Sequence, residues 1–238
     1  MNASLIYYTN DKLPEQLRNQ CLACVAAMEG FAEVILVVPP GRSYDFAECL
    51  GKIDEQLEKD LDALIIEAEG VPGHHDICVK TLAGLQKAKG DVAYLIEHDV
   101  LYPADYLDTI AVVNGGKHVY YNLNAITVNH AGYLVQPGRP LTSNAFARVE
   151  ILWEIYSNRL RHLTTGGRIK WGEPGRNPGD GPFKPVTTNS PSPVLDIRWG
   201  GNLTGRRTGP TTQTAPYWGP HKALWASLQL NGVSPHED

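Results

Sequence analysis

Glu97-His98-Asp99 puts two carboxylates and an imidazole at the end of an apolar run (92–96), and the apolar pattern resumes at Val100-Leu101. Buried acids are costly unless they are paired, hydrogen-bonded or bound to a metal. On an extended segment neighbouring side chains point to opposite sides, so Glu97 and Asp99 share a face and His98 points away. Two oxygen donors at a strand end suit a hard divalent cation, Mg²⁺ or Mn²⁺, able to hold a diphosphate and stabilise it as a leaving group. These residue types leave one alternative open, a turn whose acids cap the next helix or face water. His74-His75-Asp76 is a second cluster, but adjacent helical histidines diverge by about 100° and make a poor ligand pair. It reads better as a helix start, with Asp76 favoured by the dipole.

The elements around these residues alternate. Residues 4–9 (SLIYYT) form a β-rich run, and a helix is predicted from about Leu13, with Leu17, Cys21, Cys24 and Met28 on one face. EVILVV is a continuous apolar strand stopped by Pro39-Pro40. A second helix follows, striped by Phe46, Leu50, Ile53, Leu57 and Leu61, and ALIIE is a third strand. HHDICVKTLAGLQKAKG reads as a helix with Gly90 past its end, and the run before Glu97 is the fourth strand. Such alternation implies βαβ units and a mostly parallel sheet, whose ligands bind beyond the carboxyl ends of strands. Two loops lie at such ends: YYTND after the first strand and EHD after the fourth.

Beyond Tyr106 the texture changes. Residues 117–138 alternate like antiparallel strands with a turn near His130, and a helix over 147–163 carries Val149, Leu152, Trp153, Tyr156 and Leu160 inward. Residues 164–220 read as a long Gly/Pro-rich loop, the length expected of a lid or binding surface. A last helical piece begins near His221. One domain is expected over 1–238: a mostly parallel α/β half (1–110) and a smaller antiparallel, loop-rich half (111–238).

Composition fits an ordinary globular chain, 42% hydrophobic and 20% charged. No run is long enough to span a bilayer, the N-terminus lacks a basic leader, and the four cysteines read as thiols in a reducing compartment, so a cytoplasmic location is expected. Cys21 and Cys24 share a helix face and serve packing rather than metal or redox chemistry. The net charge of −5 is divided unevenly: residues 1–110 hold 8 Lys/Arg and 19 Asp/Glu, residues 111–238 hold 13 and 7. A basic second half suits an anionic partner or is a solvated surface.

With its surroundings, the acid-x-Asp segment resembles the core of GT-A fold glycosyltransferases, in particular small bacterial and phage members. The residues that carry this resemblance are IYYTND (6–11), EHDVLYP (97–103), YYN (120–122), GEPG (172–175) and DIRWGGNLTGRR (196–207). It implies an α/β GT-A (Rossmann-like) fold, with 1–110 as the nucleotide-sugar-binding half and 111–238 as the acceptor-binding half, and transfer of a sugar from a nucleoside diphosphate sugar, with a UDP-sugar as first choice. It further implies that Asp99 ligates Mn²⁺ or Mg²⁺ on the donor diphosphate, that Glu97 contacts the ribose or reaches the metal through water, and that Tyr8, Thr9, Asn10 and Asp11 line the nucleoside pocket, with Tyr8 stacking on the base. Glu173 would be the general base of an inverting enzyme, with Asp180 as substitute.

The chain departs from the pattern at Trp199, where related sequences tend to carry a metal-ligating His. Asp196 and His221 are the nearby replacements, and Trp199 with Arg198 would instead meet a sugar. Arg206 and Arg207 are expected to contact an anionic acceptor, either 5-hydroxymethylpyrimidine DNA of a phage, placing the protein in the host cytoplasm, or a capsule or cell-wall glycan. Trp171, Phe183, Tyr217 and Trp218 are aromatics near those basic residues. A non-catalytic nucleotide- or glycan-binding module on the same fold is the competing reading. A nucleotidyltransferase is disfavoured because the loop after the first strand has no glycine.

Overall fold

The computed structural model describes residues 1–57, 62–134, 140–198 and 209–228. Strands β1 (Ala3–Tyr8), β2 (Phe31–Val38), β3 (Ala63–Glu67) and β4 (Val92–Glu97) run parallel in the order β3-β2-β1-β4, with helices α1 (Glu15–Ala27), α2 (Ser43–Leu57) and α3 (His74–Lys87) between them. The period-two alternation of β1 is put to use on both faces. Leu5 and Tyr7 pack with Leu22 and Val25 of α1 and with Phe46 and Leu50 of α2; Ile6 and Tyr8 pack with Cys78 and Leu85 of α3. Each large apolar side chain buried this way contributes roughly 1.5–3 kcal/mol. Gly84 lets α3 approach β1 closely, since a Cβ there would stand 2.5 Å from the Ile6 side chain.

After the two-residue strand β5 (Val100–Leu101) come β6 (His118–Asn122), β7 (Ala125–Asn129), β8 (Gly132–Leu134), β9 (Ala145–Arg148) and helix α4 (Val149–Thr164). The predicted β7–β8 hairpin is present, with Asn129 paired to Gly132. The run 117–138 does not stay together, however. β6 joins the main sheet, antiparallel to β9, which in turn lies antiparallel to β4, whereas β7 and β8 belong to a second sheet. Tyr94 of β4 stacks on Phe146 of β9 at 4.5 Å, and Phe146 on Tyr120 of β6 at 5.3 Å, so aromatic packing joins the two halves of the chain.

The predicted loop 164–220 holds two further strands of consequence. β10 (Lys184–Thr188) pairs parallel with β6 and completes a seven-stranded sheet, β10-β6-β9-β4-β1-β2-β3. β11 (Val194–Ile197) inserts between β7 and β5 in the second sheet, where β12 (Thr211–Thr212) lies at the far edge. Both are short β-branched segments hidden among prolines and glycines. The inward face of α4 also differs from the expectation: Ile151, Leu152, Ile155, Tyr156 and Arg159 are buried and Trp153 is 42% exposed. Helix α5 (His221–Ser227) packs Trp225 against the second sheet. Among the described residues no helix is long and apolar enough to cross a membrane.

Candidate functional site

β1 and β4 are neighbours, but the chain goes from β1 outward to β2 and β3 before returning to β4. Their carboxyl ends therefore flank the topological switch point where open α/β sheets bind ligands. Tyr8 and Glu97 are partners in register there, and the Tyr8 hydroxyl donates to Glu97 Oε1 at 2.8 Å. The Glu97 N–H is held from the other side by the Tyr102 oxygen at 3.1 Å, and the Tyr102 hydroxyl donates to the Ser143 carbonyl at 2.8 Å.

The segment does not stay extended beyond Glu97: His98 and Asp99 form a turn before β5. The turn is clamped by β11, where the Ile197 N–H donates to the Asp99 carbonyl at 3.0 Å and Asp196 lies opposite Val100. The carboxylates remain electrostatically joined. Burial pushes the Glu97 carboxyl up to about 8, the negative charges of Asp99 and Asp196 push the same way, and the Tyr8 hydroxyl and the Arg198 guanidinium oppose them. Arg198 itself donates to Asp196 Oδ2 at 2.6 Å. A third acid and a cation from the second half thus stand at the acid-x-Asp turn, brought by a strand whose sequence looks like loop.

The other switch-point loop is tightly wound. Thr9 Oγ1 accepts from the Asp11 N–H at 2.9 Å, Asn10 Oδ1 accepts from the Lys12 N–H at 3.1 Å, and Asp11 takes a left-handed φ of 56°. Its carboxylate meets Arg18 at 3.3 Å and Arg42 at 2.7 Å. Asp11 thereby forms one wall of a cavity of ≈ 370 Å³ between α1 and α2, also lined by Arg18, Asn19, Arg42, Asp45 and Lys52. The Tyr8 ring differs from the expectation of a stacking surface: it is buried among α3-side residues and serves Glu97.

Glu173 stands on a loop that side chains hold in place. Arg159, buried in α4, donates from Nη1 to the Gly172 carbonyl and from Nη2 to the Glu173 carbonyl, both at 2.6 Å. The Tyr121 hydroxyl donates to the Pro174 carbonyl, and Gly175 turns the chain at φ 78°, which only glycine adopts freely. The Glu173 carboxylate is one-fifth exposed, with Arg176 3.9 Å away. Beside it Trp171 is 43% exposed, with Lys170 and Arg176 cations 5.3 and 5.2 Å from its ring.

The substitute base, Asp180, is not a free acid. Both its oxygens accept from Arg159 at 2.7 Å, and Oδ2 also accepts from the Asn177 N–H at 3.0 Å. His221 is likewise engaged, with Nε2 2.7 Å from the Asn129 carbonyl and its ring stacked on Trp225 and edge-on to Tyr133. Arg198 lies with Asp196 near the carboxylates rather than on an exposed acceptor face. Trp199, Arg206 and Arg207 lie outside the described residues. His74-His75-Asp76 opens α3, and Asp76 accepts from the Gly70 N–H and from Lys80.

No family model matches the chain, and no curated protein does. Solved structures do. S. aureus TarS, residues 1–349 in complex with UDP, is 15% identical with a TM-score of 0.50 over 83% of this chain and 61% of that one. The mannosyltransferase PcManGT from Pyrobaculum calidifontis, in complex with GDP-Man and Mn²⁺, is 13% identical with a TM-score of 0.50 over 85% of this chain and 58% of that one. The 4-diphosphocytidyl-2C-methyl-D-erythritol synthase from Anaerococcus prevotii is 12% identical, with a TM-score of 0.49 over 78% and 86%. The fold is GT-A-like. The chain spans about three-fifths of the TarS and PcManGT chains, and at these identities the likeness is one of fold.

Proposed function

We propose that the protein is a glycosyltransferase that takes its sugar from a nucleoside diphosphate donor, a UDP-sugar first among them, bound across the β1–β4 switch point. The observation that carries this reading is the pairing of Tyr8 with Glu97 at that point, with Asp99, Asp196 and Arg198 gathered beside it. Five polar groups at the ligand-binding end of the sheet cost stability, and a diphosphate with its counter-ion is what they suit. Two structures of similar fold are complexes with UDP and with GDP-Man, which is consistent with that class of donor.

Among the described residues no group of three or more His, Cys, Asp or Glu could hold a metal by itself. The acids nevertheless suit Mg²⁺ or Mn²⁺, which is commonly held by one or two carboxylates together with substrate phosphates. The half-buried, mutually repelling pair Glu97 and Asp99 would carry, when ionised, the charge that such an ion neutralises. Asp99 would ligate it and Glu97 would support it, and the bound ion would stabilise the departing diphosphate. Arg198 adds a fixed positive charge on the same side.

Glu173 is the proposed general base. It would accept the proton of the acceptor hydroxyl as that oxygen bonds to the anomeric carbon and the bond to the diphosphate breaks, which inverts the centre. Trp171, Lys170 and Arg176 next to it suit an acceptor that combines rings with negative charge. Hydroxymethylpyrimidine DNA and an anionic surface glycan are the two acceptors in view. The test is release of UDP from UDP-glucose and of GDP from GDP-mannose with Mn²⁺, for wild type and Glu173→Gln. A turnover number about 10²–10⁴-fold lower in the variant, at unchanged donor affinity, is expected. Wild-type turnover in Glu173→Gln would remove Glu173 as base, and donor binding without any turnover in the wild type would favour a binding module.

A further inference from the structure

Arg159 spends a buried guanidinium on one purpose. Its side chain is 3% exposed, and it makes a two-toothed pair with Asp180, Nε to Oδ1 and Nη2 to Oδ2, each at 2.7 Å. The remaining N–H groups reach the Gly172 and Glu173 carbonyls at 2.6 Å, and Nη2 lies 3.4 Å from the Trp171 carbonyl. Around this centre the loop is braced a second time. Asn177 Oδ1 accepts from the Lys170 and Trp171 N–H groups at 3.1 and 3.0 Å, and its Nδ2 donates to the Trp171 carbonyl at 2.7 Å. Every tie falls on main-chain atoms of 170–174. The Glu173 side chain has, among the described residues, one ion-pair partner, Arg176 at 3.9 Å.

A buried ion pair is a poor way to gain stability, because an apolar pair of the same volume often does as well or better. What an apolar pair cannot do is grip carbonyls. A planar fork with five donors can take a carboxylate and adjacent carbonyls together, and a lysine ammonium cannot.

We infer that Arg159 is the positioning residue for Glu173, fixing where its carboxylate stands by holding the peptide carbonyls of Gly172 and Glu173, with Asp180 orienting the fork. The catalytic part of this inference rests on the reading of Glu173 as base; the geometric part does not.

His74, at the start of α3, supplies a reporter. A Cβ at Gly172 would stand 3.6 Å from its Cε1. Burial and the Arg159 charge hold its imidazole below the usual range, and the Glu173 charge acts upward. Arg159→Lys keeps the positive charge and removes the fork. By NMR titration, His74 should titrate lower in Arg159→Lys than in wild type, in the direction set by Glu173→Gln and at least half as far. An unchanged His74 would overturn the inference whatever the enzyme's activity. Asp180→Asn keeps Arg159 and its carbonyl bonds, loosens the pair, and should move His74 the same way by less; it serves if Arg159→Lys does not fold, and an unmoved His74 there counts equally against the inference.

The second arm uses release of UDP from UDP-glucose or, if that donor is not turned over, of GDP from GDP-mannose. Arg159→Lys should lower the turnover number about 10²-fold, the scale of an ångström-level misplacement, and leave donor affinity within about twofold. Combined with Glu173→Gln it should cost nothing more, because both changes remove the same positioned carboxylate. Losses that multiply in full would show a general structural effect and contradict the inference. Should Glu173→Gln alone keep wild-type turnover, the base reading fails, and the His74 titration still decides whether Arg159 sets the loop.

Discussion

Asp11 and Asp180 each pair with arginine, and the two pairs are built differently. Asp11 meets Arg42, 42% exposed, and Arg18 at the rim of a cavity, on a loop already placed by β1 and its turn. Asp180 and Arg159 are 1% and 3% exposed and hold a loop that no strand or helix places. In the first half, site residues inherit their positions from strand register, as Tyr8 does opposite Glu97. In the second half, the position of Glu173 rests on side-chain ties to the loop, chiefly one buried fork. A site built on register should tolerate loss of a side chain; one built on a fork should not.

Asp180→Ala is the sharpest way to break this contrast. It leaves the Arg159 charge buried without its partner and should cost about 3–5 kcal/mol in urea unfolding. A loss below about 1 kcal/mol would mean that the loop is held by its remaining hydrogen bonds.

A pH-dependent effect comes next, from Glu97. Its carboxyl titrates near 8 in the folded chain, raised by burial and by Asp99, against about 4.3 unfolded. The folded state therefore holds a proton that the unfolded state has released. That contribution is complete below about pH 4.3 and is lost as pH rises through 8. In EDTA, Glu97→Gln should gain thermal stability relative to wild type from pH 5 to pH 9. A parallel pH dependence of the two proteins would show that Glu97 is ionised throughout.

Tyr8→Phe removes the hydroxyl that steadies the Glu97 carboxylate. It should cost about 1.5–3 kcal/mol where Glu97 is ionised and push its titration further above the wild-type value. The smallest effect belongs to the exposed partner of Asp11: Arg42→Ala should change stability by about 1 kcal/mol or less. A loss equal to that of Asp180→Ala would erase the distinction between the halves.

The first half was legible because its strands are apolar runs and its helices keep a 3.6 period, so the two strand-end loops could be paired on paper. Turn geometry was less so: nothing in the three letters EHD says that His98 and Asp99 leave the strand, which depends on β11 clamping the Asp99 carbonyl. β10 and β11 escaped notice because a four- or five-residue strand among prolines has too few positions to show a period. Arg159 carried a faint signal, an arginine at the next position of the buried row Ile151-Ile155. The row two positions away, Val149-Trp153, reads as inward instead, yet Trp153 is exposed. Tyr8 read as a surface for stacking because its loop is a ligand loop, yet its strand position sends the ring into the core. The roles of Trp199, Arg206 and Arg207 fall outside the described residues.

On the proposed reading, the β1–β4 switch point holds a donor diphosphate through Asp99. The direct test is calorimetric titration of UDP and GDP into wild type and Asp99→Asn, with and without Mn²⁺. At least one nucleotide should bind, more tightly with Mn²⁺, and should lose that strengthening in Asp99→Asn. Equal binding by both proteins, with or without Mn²⁺, would contradict it and make Asp99 a structural residue of the turn.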